Sequence, residues 1–191
     1  MMITKEAYEE QLAKVKEYHG ELCGGIAIGT KLAMYGMDLL GFELNKRHKN
    51  LVVFLEIDRC MADAVLVVTN CSMGKRALKQ MNYGKFAVTF CNMDTGEAIR
   101  ICDDDANKPK GKKETKDELV ARFRETPAEE LFKVQKVRVF APEPQWPGAK
   151  HTSVFCSVCG EKVTDDHHVL RGGKPVCISC ANGSYYELIE E

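Results

Sequence analysis

Four cysteines set the strongest constraint on this chain. "CSVCG" and "CISC" hold Cys156 and Cys159, then Cys177 and Cys180, with seventeen residues between the two pairs. Each Cys-x2-Cys knuckle presents two thiolates to one ion, and tetrahedral zinc takes four soft ligands. Roughly 35 residues around such a pattern cannot bury a core of their own, so metal binding supplies the missing folding energy. A thioredoxin-like redox pair would need a surrounding βαβ pattern, which is absent here. A rubredoxin-type iron centre uses similar four-thiolate spacing and stays open. His167 and His168 lie between the knuckles, but four cysteines already fill the shell, so both read as turn residues.

The segment "CSVCGEKVTDDHHVLRGGKPVCISCA" resembles the DksA/TraR-type zinc finger, and the resemblance implies a mainly structural zinc. It carries no dense basic stripe with interleaved aromatics, so direct reading of DNA is not expected. Before it, "APEPQWPGAK" holds three of the six prolines and reads as a linker. The expected organisation is therefore a core domain over 1–140, a linker over 141–152 and a zinc-finger module over 153–191.

The chain has nine cysteines, an odd number, and a start too charged for a secretion signal. A disulfide framework is not expected, and the cytoplasm is the expected compartment. The longest apolar stretch, "GGIAIGTKLAMYGMDLLGF", contains Lys31 and Asp38, which argues against a membrane span. With 27 basic and 28 acidic residues, no strong field draws the molecule to nucleic acid or membrane.

Periodicity predicts an α+β core. Thr4 can cap a first helix whose apolar stripe runs Tyr8, Leu12, Val15, His19, with Gly20 as its stop. A second helix is expected from about Leu22 to Leu40, where Gly25 and Gly29 would let another backbone approach closely. "LVVFLEI" (51–57) and "KFAVTFCN" (85–92) read as strands. "DRCMADAVLVVTNC" reads two ways: the run "AVLVV" favours a strand by composition, while Asp58 could cap a helix containing Met61, Ala64, Val65 and Val68, which is the reading preferred. "CSMGKRAL" reads as a turn or loop. "TGEAIRIC" is expected to start a helix. "DDDANKPKGKKETK" reads as a solvated loop, "KDELVARFRET" and "PAEELF" as short helices, and "KVQKVRVF" (133–140) as a half-exposed strand.

"YHGELCGG" sets His19 four residues before Cys23. A continued helix would put both on one face; a break at Gly20 would put Cys23 near a helix N-terminus, whose field favours a thiolate. Taken alone, the pair also fits a core histidine beside a buried cysteine. Cys60 in "DRC" follows a strand, and Lys75 in "NCSMGK" could lower the pKa of a thiol near Cys71. "NCSMGK" is not a P-loop, lacking the upstream glycine and the Ser/Thr after lysine.

"YHGELCGGIAIGTKLA" followed by "DRCMADAVLVVTNCSMGKRALKQMNYGKFAVTF" resembles the FmdE family, named after a component of formylmethanofuran dehydrogenase. The resemblance implies an α+β fold, commonly dimeric, with a zinc-finger extension in some members. It implies a metal or active site at His19, Cys23, Cys60, Cys71 and Lys75, with Asp58 and Asp63 near the same loops. On this basis His19, Cys23, Cys60 and Cys71 are candidate ligands of a second metal, and Cys23, His19, Cys60 and Lys75 candidate catalytic residues. The chain departs from the family pattern at Glu21, where a histidine is usual, at Gly24 in place of proline, and at Asn70 in place of glycine.

The expected function is an FmdE-like metal-binding protein with a Cys/His metal or redox site and a structural zinc finger. The alternative is an accessory protein for a molybdenum or tungsten oxidoreductase, or one that delivers metal; a zinc-finger regulator ranks third. Expected partners are a second copy of the chain, oxidoreductase subunits, and a small-molecule substrate of unknown identity, without membrane or nucleic acid.

Overall fold

The computed structural model describes residues 3–103, 114–140 and 146–189. Contacts divide the chain into two units, Met1–Phe140 and Ala141–Glu191.

In the first unit, helix α1 (Lys5–His19) starts where Thr4 Oγ1 accepts the Ala7 N–H at 3.2 Å. It ends at Gly20, whose φ of 93° lets its N–H turn back to the Lys16 carbonyl at 2.9 Å. Tyr8, Leu12 and Val15 form its buried stripe. Helix α2 (Gly24–Leu39) is buried over most of its length, and α1 and α3 (Met61–Thr69) pack against it. Gly29 is what allows α3 so near. A Cβ there would stand 2.8 Å from the Ala64 Cβ and 3.0 Å from the Met61 Cα.

Five strands form one sheet: β1 (Leu51–Leu55), β2 (Leu78–Gln80), β3 (Ala87–Asn92), β4 (Ala98–Asp103) and β5 (Phe132–Lys136), in the order β2-β1-β3-β4-β5. Only β1 and β2 are parallel. The register aligns Val53, Phe90 and Ile99 in one row and Leu55, Val88 and Ile101 in the next. Both rows join the helices in the main core. Each such side chain contributes about 1.5–3 kcal/mol on full burial, and a one-residue slip would turn the rows outward. The buried Glu56 carboxylate is held by Arg100 through Nε at 2.6 Å and Nη2 at 2.8 Å. Helix α4 (Lys116–Glu125) opens with a capping box between Thr115 and Glu118, packs on α2, and is followed by the short α5 (Ala128–Leu131).

The second unit contains β6 (Val154–Phe155) paired with β7 (Lys162–Val163), β8 (His168–Arg171) paired with β9 (Lys174–Cys177), and α6 (Ile178–Asn182). Among the described residues its buried cluster is Cys156, Val176 and Cys177. The first unit is an α+β core and the second a small four-cysteine unit. Among the described residues no helix is long and apolar enough to cross a membrane.

Several expectations change. "TGEAIRIC" is no helix: it holds a turn and then β4, because Ile99 and Ile101 alternate with Arg100 and pair with β3 across a hairpin closed at Gly96. "CSMGKRAL" is a loop that ends by starting β2, a strand too short to show a period in sequence. The strand expected over 133–140 runs from Phe132 and stops at Lys136. Helix α3 begins after Cys60, not at an Asp58 cap; Asp58 instead accepts from Asn82 Nδ2 at 3.3 Å. The charged loop over 104–113 and the linker over 141–145 lie outside the described residues.

Candidate metal centres

In the first unit, three helix ends meet. His19 is the last residue of α1, Cys23 is the N-cap of α2 and Cys60 is the N-cap of α3. Their ligand atoms all lie within 4.8 Å of one another. The break at Gly20 is what brings this about, by folding α2 back onto α1. Two helix N-termini therefore direct their positive ends toward the two sulfurs, a field that favours thiolates.

The histidine is oriented. His19 Nδ1 is 2.7 Å from Asp63 Oδ2. With an ionised carboxylate as acceptor Nδ1 is the donor, and a neutral imidazole then has its lone pair on Nε2. Nε2 faces Cys23 Sγ at 3.9 Å. Two ligands of one tetrahedral zinc, with bonds of about 2.0 and 2.3 Å, would stand roughly 3.6 Å apart. The donor set and its spacing thus fit a zinc ion, with imidazole and thiolate as ligands of suitable softness.

Cys60 adds the second sulfur. Burial pushes its thiol up, and the adjacent Cys23 raises it further. Two thiols this close do not both ionise without a cation between them. Gly25 keeps the approach open: a Cβ there would lie 2.8 Å from the Cys60 Cβ and 3.7 Å from the Cys23 sulfur.

The other residues expected here lie apart from the trio. Cys71 is not among the clustered ligand atoms. It is buried with Sγ directed at the Leu51 carbonyl, 3.7 Å away. Burial raises its pKa and outweighs the lowering by Thr69, Lys75 and Arg47, so Lys75 does not make it an acidic thiol. Lys75 Nζ donates to Asn70 Oδ1 at 3.3 Å. Glu21 is exposed and its carboxylate is outside the cluster, as is that of Asp58. Asp63, named in sequence only as lying near these loops, is the side chain that orients His19. The available signal was its position three residues after Cys60, on the first turn of α3.

In the second unit, Cys156, Cys159, Cys177 and Cys180 present their sulfurs within 4.8 Å of one another. Neither His167 nor His168 belongs to the group. Backbone N–H groups converge on the sulfurs: Cys177 N and Val158 N donate to Cys156 Sγ at 3.3 and 3.4 Å, and Cys180 N donates to Cys177 Sγ at 3.4 Å. The backbone N–H groups of Cys177 and Cys159 pull the Cys156 thiol down to about 6. Its neighbour Cys177 pushes Cys180 up to about 12. This is the zinc-finger cysteine cluster of a metal-binding protein.

Comparison with known proteins agrees with both units. The family model described as "FmdE, Molybdenum formylmethanofuran dehydrogenase operon" matches residues 18–139. The model for the prokaryotic DksA/TraR C4-type zinc finger matches residues 151–186. A probable S-adenosyl-L-methionine-binding protein of Archaeoglobus fulgidus is 26% identical over 205 residues, covering 93% of this chain and 54% of the relative. The chain thus spans about half the length of that curated relative. The crystal structure of a tungsten formylmethanofuran dehydrogenase FmdE-like protein from Syntrophus aciditrophicus superposes with a TM-score of 0.69. At 24% identity, over 94% of this chain and 95% of that one, the likeness is one of fold.

Proposed function

We propose, from the premise that this chain belongs to the FmdE family, that it holds two metal ions with different tasks. The finger zinc is structural. The second ion is held by His19, Cys23 and Cys60 and leaves one coordination position open for a small molecule. The observation that carries this reading is the convergence of three soft ligand atoms within 4.8 Å at three helix ends, with a carboxylate behind the imidazole. Three protein ligands and one free position are the arrangement of catalytic zinc sites, whereas structural sites are closed.

A zinc ion there supplies Lewis acidity to a bound water or thiol. The protein's own part is to hold that position. Asp63 fixes the His19 tautomer and ring. The α2 and α3 N-termini stabilise negative charge on the sulfurs. Cys23 is also a nucleophile candidate, with His19 Nε2 3.9 Å away as its proton acceptor.

Metal analysis of the full chain tests the proposal. The expected content is two zinc equivalents, falling to one in Cys23→Ser and in His19→Ala while the finger keeps its ion. One equivalent in the unmodified chain, lost on mutating Cys156, overturns it.

A second reading rests on the family description, which names a molybdenum dehydrogenase operon. In it the chain serves such an oxidoreductase as an accessory or metal-delivery protein, working as a homodimer. Recovery of an oxidoreductase component with the tagged chain supports it. A homodimer that turns over a small substrate alone opposes it.

A further inference from the structure

A separate polar site lies on helix α2, two turns from the metal ligands. Lys31, Tyr35 and Asp38 follow at i, i+4 and i+7, so one polar stripe interrupts an otherwise apolar helix. All three line an open cavity of about 610 Å³ that is bordered by the start of α1 and the corner between α4 and α5. That volume falls in the range of small-molecule sites, about 300–1,000 Å³. Lys31 is about 12 Å along the helix from Cys23, taking about 1.5 Å per residue.

Lys31 is only 3% exposed, yet it makes no ion pair among the described residues. Its Nζ sits 5.2 Å from the centroid of the Tyr8 ring. The Tyr8 hydroxyl is turned away to the Ala27 carbonyl at 3.0 Å. A buried ammonium with no carboxylate in direct contact is costly. Burial lowers the Lys31 pKa, against the pull of Glu129 and Glu125.

Three further charges of the cavity are engaged in ion pairs. Glu125 pairs with both Lys5 and Arg124, and Arg124 also reaches Glu9 at 3.2 Å. Glu129, on the exposed side, makes no ion pair among the described residues, although its charge acts on both Lys31 and Tyr35. A cation inside and an anion at the rim thus face the same space without closing on each other.

We propose that this cavity binds a small zwitterionic carboxylate of the amino-acid class, its carboxylate on the Lys31 ammonium and its ammonium toward Glu129. The Tyr35 ring, stacked on Phe132 with centroids 6.5 Å apart, forms a fixed wall beside it. The inference does not depend on the second metal ion.

The test uses the full zinc-loaded chain and Lys31→Met, with the twenty proteinogenic amino acids and their decarboxylated amines as probes in thermal melts. At least one amino acid is expected to raise Tm by about 3 °C or more at millimolar concentration, its amine not at all, and Lys31→Met to abolish the shift. Without ligand, Lys31→Met is expected to melt higher than the unmodified chain, because an unpaired buried charge is gone. Zinc content is expected to be equal in both proteins, which separates this result from the fate of the metal centre. The proposal is overturned if no amino acid shifts Tm, if the shift survives in Lys31→Met, or if Lys31→Met melts lower without ligand.

Discussion

Asp63 Oδ2 and His19 Nδ1 are 2.7 Å apart, across the gap between the start of α3 and the end of α1. The contact leaves one imidazole nitrogen with a lone pair and aims it at the Cys23 sulfur. Carboxylate partners of this kind usually change metal affinity by about 10–100-fold when removed. Asp63→Ala is therefore expected to weaken zinc at the first-unit site by about that factor, measured by chelator competition. Asp63→Asn is expected to retain more affinity, since its amide oxygen can still accept from Nδ1. Finger zinc is expected to be unchanged in both. Equal loss in the two variants would point to a collapsed helix end rather than a lost orienting bond.

Two glycines of α2 separate packing from ligation. A Cβ at Gly29 meets Ala64 Cβ at 2.8 Å and backbone at Met61 Cα, so Gly29→Ala must push α3 away. Overpacking of this kind costs about 1–3 kcal/mol. A Cβ at Gly25 meets the Cys60 Cβ at 2.8 Å, at the candidate ligands themselves. Gly25→Ala is expected to lose first-unit zinc with the smaller change in denaturation midpoint, and Gly29→Ala to show the larger. The reverse order would mean that Cys60 moves freely while the helix contact does not matter.

Much of the candidate site is legible in the chain because its signals are local. The i, i+4 pair His19 and Cys23, the stop at Gly20 and the two small residues Gly25 and Gly29 are each read within one turn. Cys60 enters through the family resemblance and its place after a strand. What sequence does not supply is direction. Cys71 stands near a lysine in the chain and carries a raised pKa, because burial under β1 decides its environment. The strand at Ala98–Asp103 reads as a helix in sequence because one face of it, Ile99 and Ile101, is too short a run to fix a period. The Lys31, Tyr35 and Asp38 stripe is present in the sequence, but only the placement of α1 and the α4–α5 corner beside it gives those residues a common space.

Alkaline pH offers a readout of core burial. Tyr8 is fully buried and its pKa is raised far above the ordinary value of 10.0, while burial raises Cys71 as well. For both groups the folded pKa exceeds the unfolded one. Their contribution is complete below the unfolded pKa values, about 8.5 for cysteine and about 10 for tyrosine, and is lost as pH rises toward the folded values. Denaturation free energy is thus expected to be flat from about pH 6 to 8 on account of these groups and to fall above about pH 9. Tyr8→Phe loses the hydrogen bond to the Ala27 carbonyl, worth about 0.5–1.5 kcal/mol at neutral pH, and shows a shallower fall above about pH 10. An unchanged alkaline slope in Tyr8→Phe would assign the loss to other groups.

The finger depends on its ion in a way the first unit does not. Among the described residues its buried cluster is Cys156, Val176 and Cys177, and two of these three belong to the four-cysteine group. The two hairpins pair over two and four residues and cannot hold alone, since isolated two-stranded hairpins are marginal in water. Four thiols held within 4.8 Å gain their stability from the cation they share, and structural zinc in such units carries the folding free energy itself. Stripping zinc at about pH 7 is therefore expected to abolish amide protection at Val169 and Val176 and to open residues 151–186 to protease. Protection in the sheet rows of Val53, Phe90 and Ile99 is expected to persist, because those rest on a core with many apolar members. Cys156→Ser is expected to reproduce the finger's loss without chelator. If Val169 and Val176 stay protected after zinc removal, the β8–β9 hairpin holds by its own packing, and the metal has a task other than folding.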